Sequence, residues 1–163
     1  MKGPAAFVSC LLPGGLICLL IACHSDRHQS FYPTLADAQK DEATTRGWIP
    51  DLLPGSSRSI HEIHDISPSI EWCAFEFVPA DSQRLRNTLK SVIAPPQPVR
   101  RVPNPGVLWW PAALNGNLDV GKIQKEGFEL YILETPATSV TTNISLFAID
   151  WSKGHGFFYS TPE

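Results

Sequence analysis

Gly47-Trp48-Ile49-Pro50-Asp51-Leu52-Leu53-Pro54-Gly55-Ser56-Ser57-Arg58-Ser59-Ile60-His61-Glu62-Ile63-His64-Asp65 is the stretch whose reading decides the fold. Gly47 stops whatever helix precedes it, because glycine tolerates the left-handed backbone of a helix end. Pro50 and Pro54 forbid a continuing helix or an interior strand around Asp51-Leu52-Leu53. The chain must therefore turn here, with Trp48, Ile49 and Leu52 directed into a core. Ser56, Ser57 and Ser59 then lead into a strand expected over 60–66. Alternation along it puts His61, Ile63 and Asp65 on one face and Glu62, His64 and Ile66 on the other.

Upstream, Thr34 is placed to cap a helix with Asp37 at its third position, and that helix is expected from Leu35 to about Thr45. Downstream, Pro68 marks a turn into a second strand, Ile70 to Val78. It is apolar on both faces, with Trp72 and Ala74 against Cys73, Phe75 and Phe77, so it belongs in the middle of a sheet and forms a hairpin with its predecessor. Asp81 is placed to cap a second helix over 82–93, in which Leu85, Leu89, Val92 and Ile93 recur at helical spacing.

Six of the seventeen positions from Pro95 to Pro111 are proline, which makes this segment a long extended loop. Leu108-Trp109-Trp110-Pro111 closes it. The two tryptophans read either as plugs at the edge of the core or as a partner-facing patch. A short helix over 110–117 is expected next. Strands over 128–134, 144–151 and 157–160 follow, the last two joined by the glycine-bearing loop Ser152 to Gly156. The order predicts an α+β fold: an antiparallel sheet of about five strands, two main helices packed on one face, and the long Pro-rich loop.

Composition narrows the class. With 43% hydrophobic and 18% charged residues among 163, the chain is a globular protein. Its net charge of −3 and scattered basic residues argue against nucleic-acid binding.

The N-terminus has the layout of a secretory signal: Lys2, an apolar run from Ala5 to Ala22, then polar sequence from His24. The run ends Leu20-Ile21-Ala22-Cys23, which resembles the lipobox of bacterial lipoproteins. That resemblance implies cleavage before Cys23, acylation of its thiol and amino group, and stable anchoring by more than one chain. The domain scheme it implies is a signal peptide over 1–22, a lipidated cysteine and polar tether over 23–33, and a single domain over 34–163. The tether holds His24 and His28. His24 rather than aspartate after the cysteine implies the periplasmic side of the outer membrane. Cys10 and Cys18 would leave with the signal and Cys23 is taken by lipid, so no disulfide is expected.

The body of the chain is similar to a group of small, uncharacterised bacterial lipoproteins. The residues that carry the similarity are Gly47-Trp48-Ile49-Pro50-Asp51, Leu53-Pro54-Gly55-Ser56 and Ile60-His61-Glu62-Ile63-His64-Asp65, with Ala148-Ile149-Asp150 near the end. The group brings no activity with it.

The candidate functional surface consists of His61, Glu62, His64 and Asp65, with Trp109 and Trp110. His61 and His64 are three apart on a strand, not four apart on a helix, so they cannot share one metal ion without a bend. The bland alternative pairs Glu62 and Asp65 with Arg58 or with neighbouring backbone groups at a sheet edge. Cys73, among apolar neighbours, is a buried thiol and not a nucleophile. No catalytic residue, metal or cofactor is expected. The sequence is read as a membrane-anchored envelope protein that binds another protein or an envelope component. A periplasmic immunity or inhibitor protein and a metal-dependent hydrolase using His61 to Asp65 are the alternatives.

Overall fold

The structure, a computed structural model, describes residues 26–67, 69–91, 101–136 and 142–162. The expected signal segment, Cys23, Pro68, the first six positions of the Pro-rich loop (95–100) and residues 137–141 lie outside the described residues.

Nine strands are described: β1 (Arg27–Thr34), β2 (Arg58–Asp65), β3 (Ile70–Glu76), β4 (Lys90–Ser91), β5 (Arg101–Val102), β6 (Gly116–Asn117), β7 (Glu129–Pro136), β8 (Thr142–Asp150) and β9 (His155–Pro162). Seven form one antiparallel sheet in the order β1-β2-β3-β9-β8-β7-β4, in which β4 contributes only two residues. β5 and β6 form a separate ribbon. Helices α1 (Leu35–Lys40), α2 (Gln83–Thr88) and α3 (Val120–Lys125) are six residues each.

The antiparallel α+β architecture agrees with the sequence reading, but its details do not. Residues 27–33, expected within a tether, form with Thr34 an edge strand paired with β2 from Arg27↔Asp65 to Thr34↔Arg58. Only Tyr32 of this strand is buried, so no apolar alternation betrays it. Two helices on one face are only part of the cover: α1 and α2 contribute to one face, and α3 to the other. Both faces of the sheet are covered, and the helices are divided between them. Leu35 and Ala38 of α1, Leu85 of α2 and the loop residues Ile49, Leu52 and Leu53 pack on Ile60, Phe75, Phe147, Ile149 and Phe158. On the opposite face, Ile123 of α3 joins Val102, Trp110 and Leu114 over Ile63, Trp72, Leu146 and Tyr159. The physical reason is β3 itself: with apolar side chains on both sides, it needs cover on both.

The first helix has the expected capping box, Thr34 Oγ1 accepting from the Asp37 amide while Asp37 accepts from the Thr34 amide. It stops at Lys40, and turns carry the chain to Gly47, whose φ is +82°. α2 also ends early, because Leu89 adopts an extended backbone that delivers Lys90 to β7 opposite Ile132. Asp81 does not cap it. Its carboxylate accepts instead from the Ser56 amide at 2.8 Å, tying the loop before β2 to the end of β3.

The β8–β9 hairpin is held by Asp150, whose Oδ1 accepts from the amides of Ser152 and Lys153 and from the Ser152 hydroxyl. Gly154, at φ +68°, lies so close to Phe77 that a Cβ would stand 1.9 Å from its carbonyl oxygen. The Phe77 amide donates to the Gly154 carbonyl at 2.7 Å.

Candidate functional site

The turn at Gly47 determines where Trp48 goes. The Trp48 amide donates to the Ala43 carbonyl at 3.0 Å, folding the indole back over the sheet. There it stacks on His64, with ring centroids 4.0 Å apart and planes 12° apart. His28, directly opposite His64 on β1, stacks on the same imidazole at 5.1 Å. The Arg46 guanidinium lies 4.8 Å from the Trp48 ring centre, a cation–π contact at the rim.

Glu62 and His64, two apart on β2, share a face, and Glu62 Oε1 lies 2.7 Å from His64 Nδ1. Glu62 is wholly buried and His64 is 4% exposed. Burial pushes the Glu62 carboxyl up to about 8, Glu71 adding to the rise and Ser30 opposing it. Burial pushes the imidazole of His64 down, and neighbouring His28 pushes it further. At neutral pH the pair therefore carries no net charge and keeps a proton between its two rows of lone pairs. Among the described residues Glu62 Oε2 has no hydrogen-bond partner.

The cross-strand register extends this into a polar row. His28, His64, Glu71, Ser160 and Ser145 stand side by side on β1, β2, β3, β9 and β8. Burial raises the Glu71 carboxyl to about 7, against a hydrogen bond from Ser160 that favours the ionised form. Beyond Ser160 the row opens into a cleft of about 290 Å³ between the 44–52 loop and β7, β8 and β9.

His61 points to the opposite face, as strand alternation requires. It stacks on Trp109 at 5.5 Å and touches Phe31 at 4.8 Å. His61 and Trp109 border a groove of about 190 Å³ that also involves Ser59, Glu76 and His155. Ser59 has a φ of +49°, uncommon for a residue with a side chain, at the point where the β2–β3 register shifts. Trp110 is buried and meets Phe157 edge-on, while Trp109 is half-buried and Leu108 fully exposed. One tryptophan is thus core and the other is surface.

The structure sorts the sequence candidates into three places. Glu62 and His64 form one buried pair. His61 and Trp109 meet on the other face. Asp65 sits at the end of β2, paired with Arg27 of the edge strand at 3.1 Å. The alternative pairing of Glu62 and Asp65 with Arg58 is not seen among the described residues: Arg58 lies opposite Glu76 and pairs with it at 3.3 Å. Among the described residues no cluster of His, Cys, Asp and Glu is arranged to hold a metal ion, and no helix is long and apolar enough to cross a membrane. Cys73 is fully buried, with its thiol raised by desolvation and by nearby Glu62.

Sequence reasoning missed His28, Glu71 and Ser160, and it missed the role of Trp48 as the lid on His64. Glu62 and His64 were recoverable from their two-residue spacing. The rest depend on which strands become neighbours.

Residues 26–76 match the family model of the YbbD head domain. This span runs from β1 through β3 and contains the Gly47 turn, Trp48 and the Glu62–His64 pair. It indicates a small bacterial family for this segment. A search of curated proteins and of solved structures finds no match.

Proposed function

We propose that the chain is an exported, lipid-anchored protein of the bacterial envelope, held by Cys23, and that its domain is a non-enzymatic module that binds a partner protein. The lipobox-like Leu20-Ile21-Ala22-Cys23 supports the first half. The observation that carries the second is the stacking of Trp109 on His61, beside Phe31 at 55% exposure and the fully exposed Leu108. The polar strand and the aromatic loop, two separate candidates in the sequence, thereby form one surface of apolar side chains ringed by Glu76 and His155. Such a patch on the outside of a small domain favours partner binding.

The hydrolase alternative is disfavoured by the geometry. His61 and His64 stand on opposite faces, and His64 is occupied by Glu62 and two stacked rings. An immunity or inhibitor protein remains a particular form of the binding role, with the same surface.

Affinity capture from detergent-solubilised envelopes, comparing the native chain with Leu108→Asp and Trp109→Ala, tests the binding reading. A specific partner lost in both variants is expected, and capture that both variants leave unchanged rules this surface out. Cys23→Ala should release the protein from membranes, and retention of that variant would sink the anchor.

A further inference from the structure

The cleft beside Ser160 lies on the face opposite the proposed partner surface, and its walls are chemically divided. One wall is polar: Asn143 and Ser145 of β8 and Ser160 of β9, with Thr44 across from them. The floor and the other wall are apolar, built from Phe147, Phe158, Ile49 and Pro50. We propose that this cleft binds a small, neutral, polyhydroxylated ligand the size of a single sugar ring.

Size sets the first limit. At about 290 Å³ the cleft lies at the lower end of the range for small-molecule sites, enough for one ring and its hydroxyls. Charge sets the second. Among the described residues lining the cleft, Asp51 is the one ionisable side chain and none is basic. A phosphate or carboxylate would lose its hydration and gain no counter-charge.

Hydrogen-bonding type separates a neutral ligand from a cation. Hydroxyls and a carboxamide each donate and accept, which matches ligand hydroxyls that do both. An ammonium group only donates and would seek a buried carboxylate. Glu71 is already engaged by Ser160, and Asp51 is exposed at the rim. The Ser145 and Ser160 hydroxyls are 8% or less exposed as residues, and their mutual hydrogen bond is long at 3.4 Å. Their protons are committed, Ser145 donating to Ser160 and Ser160 to Glu71, so they offer a ligand acceptor capacity only, and Asn143 supplies the donor on this wall. The C–H faces of a sugar ring suit the Phe147 and Phe158 side of the cleft.

The cleft is also preformed. Its outer wall, Gly47 to Leu52, is the segment pinned by the stacking of Trp48 on His64, so little ordering is left for a ligand to impose.

Titration of the full-length protein in detergent with glucose, galactose, mannose, glucuronate and glucosamine, followed by saturation-transfer NMR, tests the proposal. At least one neutral hexose should bind saturably in the millimolar range, with glucuronate about tenfold weaker or more, and glucosamine no tighter. Ser145→Ala with Ser160→Ala should weaken that binding by about tenfold, as expected for two lost hydrogen bonds. If the double variant does not fold by circular dichroism, Asn143→Ala and Ser145→Ala tested singly should each weaken it severalfold. No saturable binding by any neutral hexose overturns the proposal. So does glucosamine binding tenfold tighter than the hexoses, which would make this a cation site, or a folded double variant with unchanged affinity.

Discussion

Trp48 lies flat on His64, and the same imidazole is held edge-on by Glu62 at 2.7 Å. The indole therefore packs the loop, and the carboxyl fixes the ring on which it packs. Trp48→Ala should cost about 2–4 kcal/mol of stability in urea titrations, because it removes an aromatic stack and leaves the 47–52 loop without its fastening. His64→Phe keeps a ring for Trp48 but strands Glu62 Oε1. A loss of about 1–3 kcal/mol is expected, with part of it restored by adding Glu62→Leu. Double-mutant analysis checks this, and strict additivity of the two changes would contradict it.

Stability should fall as the pH rises from about 4.5 to about 8. In the unfolded chain Glu62 and Glu71 ionise near the ordinary 4.5, whereas in the fold they hold their protons to about 8 and about 7. Between those limits the native state binds more protons, so each step upward favours the unfolded chain. The depressed imidazole of His64 acts in the other direction, its contribution being lost as pH falls through 6.5 and below. From 4.5 to 6.5 the two carboxyls together outweigh the imidazole, so the optimum lies near pH 4.5 and not at neutrality. The decline should be on the order of 2–4 kcal/mol, most of it from Glu62 because Glu71 is partly exposed. Thermal melts of Glu62→Gln across this range should show a much flatter profile.

Gly154→Ala should be among the most damaging single changes. The new methyl would meet the Phe77 carbonyl oxygen at 1.9 Å in a backbone of φ +68°, where an L residue is already strained. A loss of about 3 kcal/mol or more is expected, read as a fall in the urea midpoint. Gly47→Ala is the control: φ is +82° there too, but open space surrounds the position, so only about 1–2 kcal/mol of backbone strain should appear.

Cys73 should be inert in the native protein. It is fully buried and its thiol is raised, so alkylation by iodoacetamide should follow unfolding and not precede it. Rapid labelling without denaturant would show that β3 opens locally.

The sequence carried the parts of the fold that depend on local pattern. β2, β3, β7, β8 and β9 were visible in their alternation and turn residues, and α1 in its capping box. β1 was hidden because an edge strand buries one residue in eight and needs no apolar period. α3 was hidden because a six-residue helix with Ile123 as its single buried side chain shows no repeat. α2 was read too long, because the pull of β7 on Lys90 is a tertiary effect. For the site, two-residue spacing placed Glu62 with His64 and separated His61 from it. The meeting of His61 with Trp109, 48 positions apart, follows from how the Pro-rich segment returns across the sheet, and no local pattern encodes that.

The placement of β9 has a consequence for how such a chain is made. The final strand lies between β3 and β8, so the first three strands and the later hairpin partners touch in the sheet only through it. A nascent chain emerging from its N-terminus cannot close this sheet until the last eight-residue strand has been synthesised. On the export route proposed above, with the chain threaded unfolded through a membrane channel, that arrangement would be an inherent delay: the keystone arrives last, and export could run ahead of folding.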